Sequence, residues 1–198
     1  FDHSKLTRMA NASSVPVINL LSDQTHPIQT LADLLTLRQS LGDIEKLKVS
    51  YIGDPNNVSR PLAIALNMFG NTLNLSHPEG YGLSASDLNK FESGNVKVNL
   101  VDDPKLAAEN ADVIYTDTWY SMGQEDQKDQ RVKDFKDYQI NSELMSRANA
   151  EAIFMHCLPA HRGLEVTDEV IDGPQSVVWK QAENRMHTAR GLLSYLCE

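Results

Sequence analysis

Short apolar runs alternate with amphipathic segments along most of the chain, and this alternation predicts its architecture. The apolar runs predicted to be strands are 15–21, 47–52, 72–75, 96–101, 112–116, 152–155 and 176–179. The segments predicted to be helices are 2–10, 27–39, 58–69, 86–91, 104–110, 126–135, 142–149, 167–170 and 181–196. Repeated strand–helix units predict an α/β fold, doubly wound and Rossmann-like, with a mainly parallel sheet and helices on both faces.

Several predicted helices carry start or stop signals. Ser86 and Ser142 are candidate N-caps, and Gly70 is expected to end its helix in the left-handed conformation. Pro27 is expected in the first turn of its helix, where a missing N–H has no cost. His26 then lies at a helix N-terminus and is either a plain cap or part of an anion site.

Chemically useful side chains follow the predicted strand 152–155. Because proline cannot donate to a sheet ladder, Pro159 requires this strand to stop at or before Leu158. Cys157 therefore lies near a strand's carboxyl end, where ligands bind in open α/β sheets. Cys157 is either a small buried hydrophobic residue or part of a binding site.

Composition excludes several classes of partner. The 198 residues carry a formal net charge of −9, so neither nucleic acid nor an anionic membrane is expected as a partner. No run approaches the roughly 20 apolar residues of a membrane-spanning helix. Two cysteines do not form a disulfide framework, which favours a reducing, cytoplasmic location. The chain begins with Phe1, which suggests an excerpt or a processed piece.

Recognised motifs for common chemistries are absent from the sequence. There is no Gly-x-Ser-x-Gly elbow, no phosphate-binding Gly-x-x-x-x-Gly-Lys loop and no His and carboxylate spacing typical of a metal site. The turn that follows the strand 47–52 lacks the Gly-x-Gly-x-x-Gly dinucleotide fingerprint. We therefore expect no metal and no cofactor. The polar groups that remain suit a transfer between two bound small molecules, by positioning and electrostatic stabilisation.

Five motifs resemble, in order, those of the ornithine carbamoyltransferases. They are His26-Pro-Ile-Gln29-Thr-Leu-Ala-Asp33, Gly53-Asp-Pro-Asn-Asn57-Val, Asp117-Thr-Trp-Tyr-Ser121-Met122-Gly-Gln-Glu, His156-Cys157-Leu158-Pro159 and Ala-Glu-Asn-Arg185. The motif that begins at Asp117 best separates the ornithine branch from its relatives. The resemblance covers nearly the whole chain.

The resemblance implies transfer of the carbamoyl group of carbamoyl phosphate to L-ornithine, giving citrulline and phosphate. It assigns His26, Gln29 and Arg185 to the carbamoyl group, and with Cys157 these are the catalytic candidates. The residues that it assigns to binding ornithine are Asn57, Asp117, Ser121, Met122, Cys157 and Leu158. A role in arginine biosynthesis or the urea cycle is implied, although the sequence does not separate synthesis from degradation.

One departure from the family pattern concerns phosphate binding. The family's Ser-x-Arg-Thr-Arg motif is absent here, so the chain alone is expected to be inactive or nearly so. The interpretation divides the chain into an interdomain segment (1–40), an ornithine-binding domain (41–180) and a terminal interdomain helix (181–198). The resemblance also implies a homotrimer for the full-length enzyme. The alternatives are a carbamoyltransferase for another amine and a non-catalytic α/β binding module.

Overall fold

The computed structural model describes residues 2–120 and 123–197. Its strands are β1 (Val49–Ile52), β2 (Leu73–Ser76), β3 (Val98–Leu100), β4 (Val113–Thr116) and β5 (Ile153–His156). Its α-helices are α1 (His3–Ala12), α2 (Pro27–Leu41), α3 (Ser59–Met68), α4 (Ala85–Ser93), α5 (Pro104–Ala108), α6 (Lys128–Phe135), α7 (Ser142–Met145), α8 (Asp168–Ile171) and α9 (Val178–Cys197). Short 3-10 helices at Glu125–Gln127 and Lys136–Tyr138 flank α6. The predicted alternation of strand and helix is thus present from β1 to β5.

The five described strands form one parallel sheet in the order β3-β2-β1-β4-β5. Tyr51 of β1 lies opposite Leu75 of β2 on one side and Tyr115 of β4 on the other. The chain winds outward from β1 to β3 and then returns to place β4 on the other side of β1. The predicted doubly wound α/β fold is confirmed. In such sheets the reversal of strand order opens a binding crevice at the strands' carboxyl ends, here between β1 and β4.

Two hydrophobic cores lie on the two faces of the sheet, because successive side chains of a strand point to opposite faces. On one face Tyr51 packs in a cluster with Leu66 of α3. On the other face Ile114 and Phe154 pack in a cluster with Ala107 of α5. Helices cover both faces, as predicted, which explains why β1, β4 and β5 are buried along their whole length.

The strand predicted at 15–21 is wrong. This segment does not join the described sheet, and its apolar side chains Val15 and Leu20 are 67% and 58% exposed. A β-branched run forms a strand only where a neighbouring strand accepts its hydrogen bonds, and Pro16 has no N–H to offer. Residues 15–21 therefore cross the surface without ladder pairing.

The strand predicted at 176–179 is also wrong. The segment makes one short bridge to β5, in which Phe154 N–H donates to the carbonyl of Gln175 (2.8 Å) and Val177 N–H donates to the carbonyl of Phe154 (3.0 Å). Helix α9 then begins at Val178, whose side chain is fully buried in the second core. The apolar pattern arises because the first turn of α9 is buried. A short apolar run does not distinguish a buried helical turn from a buried strand.

Two predicted caps are shifted by one or two residues. Ser84, not Ser86, caps α4 through a capping box with Asp87. Asn141, not Ser142, caps α7 by accepting a hydrogen bond from the N–H of Leu144 (2.9 Å). In both cases the cap is the residue just before the first helical residue, which is Ala85 in α4 and Ser142 in α7.

The first and last helices differ in how they pack. Helix α1 is capped by Asp2 and buries no residue, whereas α9 packs along α2 and buries Gln181 and Asn184. Beyond them α9 carries exposed apolar side chains, among them Met186 and Leu193. None of the helices in residues 2–120 and 123–197 has both the length and the apolar character needed to cross a bilayer.

Candidate functional site

The carboxyl ends of three neighbouring strands bring together residues that are far apart in the sequence. Asn56 follows β1, Asp117 follows β4, and Cys157 follows β5. The side-chain amide of Asn56 donates to Oδ2 of Asp117 at 2.6 Å, and Sγ of Cys157 lies 3.0 Å from Oδ1. This is the crevice that the strand order predicts.

Asp117 is the acceptor at the centre of this group. Its side chain is only 8% exposed, and its described partners are Asn56, Cys157 and the backbone N–H of Thr118 (2.8 Å). All three are neutral donors, so the charge of the carboxylate is not balanced by any of them. A partly buried carboxylate of this kind suits the ammonium group of a ligand.

Cys157 is held as a thiol in this environment. Its burial and the charge of Asp117 raise the pKa of the thiol well above its ordinary value. A thiolate nucleophile needs a lowered pKa, so the environment favours a hydrogen-bond donor. The structure thus supports the interpretation of Cys157 as a binding group.

His156, which directly precedes Cys157, directs its ring nitrogens to groups other than the thiol, although one of them lies within 4.8 Å of Sγ. Its Nδ1 accepts a hydrogen bond from the N–H of Leu158 (2.8 Å), and its Nε2 lies 3.4 Å from Oε1 of the buried Glu165. Leu158 has a positive φ of 55°, which bends the chain after the strand. His156 and Glu165 therefore shape the turn that presents Cys157 and Leu158.

A second group of site residues joins α2 to α9. Nη1 of Arg185 donates to Oε1 of Gln29 at 2.7 Å and lies 3.3 Å from Nε2 of His26. Burial, and then the charge of Arg185, lower the pKa of His26 to about 4. His26 is therefore neutral at pH 7, with Nε2 as acceptor and the proton on Nδ1. Its side chain makes no capping hydrogen bond, so it is not a plain cap.

The two groups influence each other electrostatically. The charge of Asp117 acts on the pKa of His26 in the direction opposite to that of Arg185. A cationic and an anionic end thus lie within one polar region, as a substrate with both kinds of charge requires.

Asn57 makes its described contact outside the Asp117 group. The amide of Asn57 donates to the carbonyl of Ser22 (2.7 Å), and its neighbour Asn56 is the residue bonded to Asp117. The contact of Asn57 with an amino acid stays a prediction. Ser121 and Met122 lie outside the described residues, and their roles also stay predictions.

A buried ion pair anchors the segment that follows Asp117. Nη1 of Arg131 donates to Asp54 Oδ2 (2.7 Å) and to the carbonyl of Trp119 (2.8 Å). Trp119 is itself only 2% exposed. The pair joins the turn after β1 to the turn after β4.

Sequence reasoning missed a buried polar network behind the site. Asp33 is fully buried and accepts hydrogen bonds from Gln29 (2.8 Å), Gln181 (2.7 Å) and Tyr115 (3.2 Å). A signal was present, because Asp33 lies four residues after Gln29, a spacing at which helical side chains meet.

One cluster in the described residues has the composition of a metal site. Ligand atoms of Asp117, His156 and Cys157 lie within 4.8 Å of one another. The sequence showed no such cluster because 40 residues separate Asp117 from Cys157. The imidazole is a poor ligand here, since Nδ1 accepts from Leu158 and Nε2 faces Glu165.

The fold and the site are those of one class of protein: a doubly wound α/β domain with a site for small polar molecules at the point where the strand order reverses. The family model described as aspartate/ornithine carbamoyltransferase, Asp/Orn binding domain, matches residues 45–196. The family's carbamoyl-P binding domain model matches residues 1–39. The chain belongs to the aspartate/ornithine carbamoyltransferase family.

Individual relatives agree with this assignment. An ornithine carbamoyltransferase of Caldicellulosiruptor saccharolyticus is 46% identical over 201 residues, which covers 100% of this chain and 65% of that protein. The solved ornithine carbamoyltransferase of Pyrococcus furiosus is 45% identical, with a TM-score of 0.90 over 98% of this chain and 63% of that one. The chain thus spans slightly less than two thirds of the length of these relatives.

Proposed function

We propose that this chain supplies the ornithine-binding half, and part of the carbamoyl phosphate site, of an ornithine carbamoyltransferase. The reaction is carbamoyl phosphate plus L-ornithine to L-citrulline plus phosphate. The observation that carries the proposal is that the group of Asp117 and Cys157 lies close enough to the group of His26, Gln29 and Arg185 for the charge of Asp117 to act on the pKa of His26. Family membership and the names of the relatives support it.

Asp117 and its neighbours bind ornithine in this proposal. The carboxylate of Asp117 binds the α-ammonium group. The described partners of Asp117 are neutral, so the ammonium group balances the charge of the carboxylate. Asn57 and the backbone of Met122 contact the amino-acid head group. Ser121, Cys157 and Leu158 orient the δ-amine, with the thiol of Cys157 as a neutral polar contact.

His26, Gln29 and Arg185 stabilise the carbamoyl group. The neutral δ-amine attacks the carbonyl carbon, a C–N bond forms, and the C–O bond to phosphate breaks as phosphate leaves. The attacking nitrogen loses a proton, which the departing phosphate accepts. The guanidinium of Arg185 stabilises the negative charge that develops on the carbonyl oxygen, and His26, whose Nε2 lies 3.3 Å from that guanidinium, contacts the same carbamoyl group. Gln29 contributes its carbonyl oxygen to the carbamoyl NH2 group.

The wider context of the chain is part of the same proposal. Residues 1–40 and 181–198 act as interdomain segments around an ornithine-binding domain at 41–180. The family's Ser-x-Arg-Thr-Arg motif is absent, so the 198-residue chain by itself is inactive or nearly so. The full-length enzyme is a cytoplasmic homotrimer that acts in arginine biosynthesis or the urea cycle.

A test of the proposal compares acceptors and ligands. The full native protein that carries this chain is assayed for citrulline formation with L-ornithine, and with aspartate, putrescine and N-acetylornithine as alternative acceptors. Ornithine alone is expected to be carbamoylated. A preference for another amine contradicts the ornithine assignment. Calorimetry that shows binding of neither ornithine nor carbamoyl phosphate contradicts the enzyme assignment altogether.

A further inference from the structure

Asp33 is a buried carboxylate that the proposed mechanism does not use. Its side chain is 0% exposed, and none of the described residues forms an ion pair with it. Burial raises its pKa to about 7, although three hydrogen bonds oppose the shift. Keeping an ionised carboxylate in such a place costs free energy unless its hydrogen-bond partners compensate.

The partners of Asp33 are two glutamine amides and one hydroxyl. Nε2 of Gln29 and Nε2 of Gln181 both donate to Oδ1, at 2.8 and 2.7 Å. The hydroxyl of Tyr115 donates to Oδ2 at 3.2 Å and accepts from Gln181 at 2.9 Å. An ionised carboxylate only accepts hydrogen bonds. It therefore compels both amides to turn their NH2 groups inward and their carbonyl oxygens outward.

The outward-facing carbonyl oxygens of Gln29 and Gln181 each accept a hydrogen bond from a group at the site. Oε1 of Gln29 accepts from Arg185 at 2.7 Å, and Oε1 of Gln181 accepts from the backbone N–H of His156 at 3.0 Å. His156 ends β5 and immediately precedes Cys157. A flipped amide would set an NH2 group against another donor and leave both unsatisfied.

We propose that Asp33 is a positioning residue that fixes the amide orientation of Gln29 and Gln181. Through Gln29 it places the guanidinium of Arg185, and through Gln181 it places the end of β5 that carries Cys157. The inference rests on the proposed carbamoyl transfer, in which Gln29 and Arg185 contact the substrate. Asp33 acts only through these neighbours.

The test is Asp33→Asn in the full native protein that carries this chain. Asparagine has the same size but offers both a donor and an acceptor, so it no longer compels either glutamine to one orientation. We expect kcat for citrulline formation to fall about tenfold or more, and KM for carbamoyl phosphate to rise. Thermal stability at pH 8 is expected to be unchanged or higher, because a buried charge is removed.

Thr36→Val is the matched control. Thr36 also lies on α2 and joins it to α9, where it accepts from the amide of Asn184 at 2.8 Å. It does not contact Gln29 or Gln181 among the contacts described. Thr36→Val is expected to keep kcat within about twofold of wild type even if it lowers thermal stability.

Four outcomes overturn the inference. One is wild-type kcat and KM in Asp33→Asn. Another is that Asp33→Asn and Thr36→Val both lose activity in proportion to their loss of thermal stability. The third is read by NMR from the wild-type protein at pH 8, where the side-chain NH2 protons of Gln29 and Gln181 are expected to be protected from exchange. Unprotected protons overturn the inference even if Asp33→Asn does not fold.

The NMR measurement also separates this inference from the proposed function. If the wild-type protein makes no citrulline, the proposed function fails. Protection of the two glutamine NH2 groups in wild type, and its loss in Asp33→Asn, still supports the positioning role. Equal protection in both proteins is the fourth such outcome, and it overturns that role whatever the activity.

Discussion

Asp117→Asn removes a formal negative charge from the crevice and leaves the size of the side chain unchanged. Asp117 is 8% exposed and accepts from the side chains of Asn56 and Cys157. In the variant, the new NH2 group must face one of these donors, and the α-ammonium of ornithine loses its counter-charge. Losing one partner of a nearly buried ion pair costs about 3–4 kcal/mol, which corresponds to about 10²–10³-fold in kcat/KM.

The assay is the initial rate of citrulline formation by the full native protein, with ornithine varied at saturating carbamoyl phosphate. The loss is expected in kcat/KM for ornithine, while calorimetric binding of carbamoyl phosphate is unchanged. Asp112→Asn is the control, because Asp112 lies just before β4 and accepts from Lys48 N–H (2.8 Å) and the amide of Asn149 (2.7 Å). A loss below about threefold for Asp117→Asn, or an equal loss in the control, refutes the reasoning.

Cys157 should react with iodoacetamide more slowly than the exposed Cys197, because burial and Asp117 raise its pKa. Peptide mass spectrometry follows both thiols, and faster labelling of Cys157 would show an ionised thiol. Arg131→Met leaves Asp54 as an unpaired, largely buried carboxylate and is expected to lower the free energy of unfolding by about 3 kcal/mol in urea titrations. Arg131→Met/Asp54→Leu should recover part of that loss, and no recovery would show that the pair's charges are unimportant. The pKa of Asp33 is raised from 3.8 to about 7, so the folded state retains a proton that the unfolded chain releases. Its contribution to stability is therefore complete below pH 3.8 and is lost as the pH rises through about 7. Asp33→Asn should then gain up to about 4 kcal/mol over wild type at pH 8 and nothing at pH 4, whereas parallel stability curves contradict the raised pKa.

All five described strands overlap predicted segments, and four of them lie in a uniform, buried environment; the exception is β3 at one edge of the sheet. β1, β4 and β5 are buried on both faces, so each appears as a short apolar run bounded by turn residues. The failures at 15–21 and 176–179 have one physical origin. Local composition shows that a segment is apolar, but it does not show whether another strand lies beside that segment. Val178 is buried as a helical residue, and Val15 is exposed.

The site could be predicted only in part, because spatial convergence depends on strand order. The sequence placed Asp117 and Cys157 at strand ends, yet their contact follows from β4 lying beside β5. Adjacency in sequence did not reveal the partners of His156. Its Nδ1 accepts from the N–H of Leu158 and its Nε2 faces the buried Glu165, nine residues further along the chain. Asp33 escaped notice because a helical aspartate is ordinarily solvated, whereas this one is buried between α2 and α9.

The most direct test of the account is a crystal structure of the full native protein with a non-reactive bisubstrate analogue of carbamoyl phosphate and ornithine. We expect the α-ammonium of the analogue within hydrogen-bond distance of Asp117. We expect its carbamoyl portion against His26, Gln29 and Arg185. An analogue bound elsewhere, or bound with its α-ammonium remote from Asp117, would rule out the proposed site.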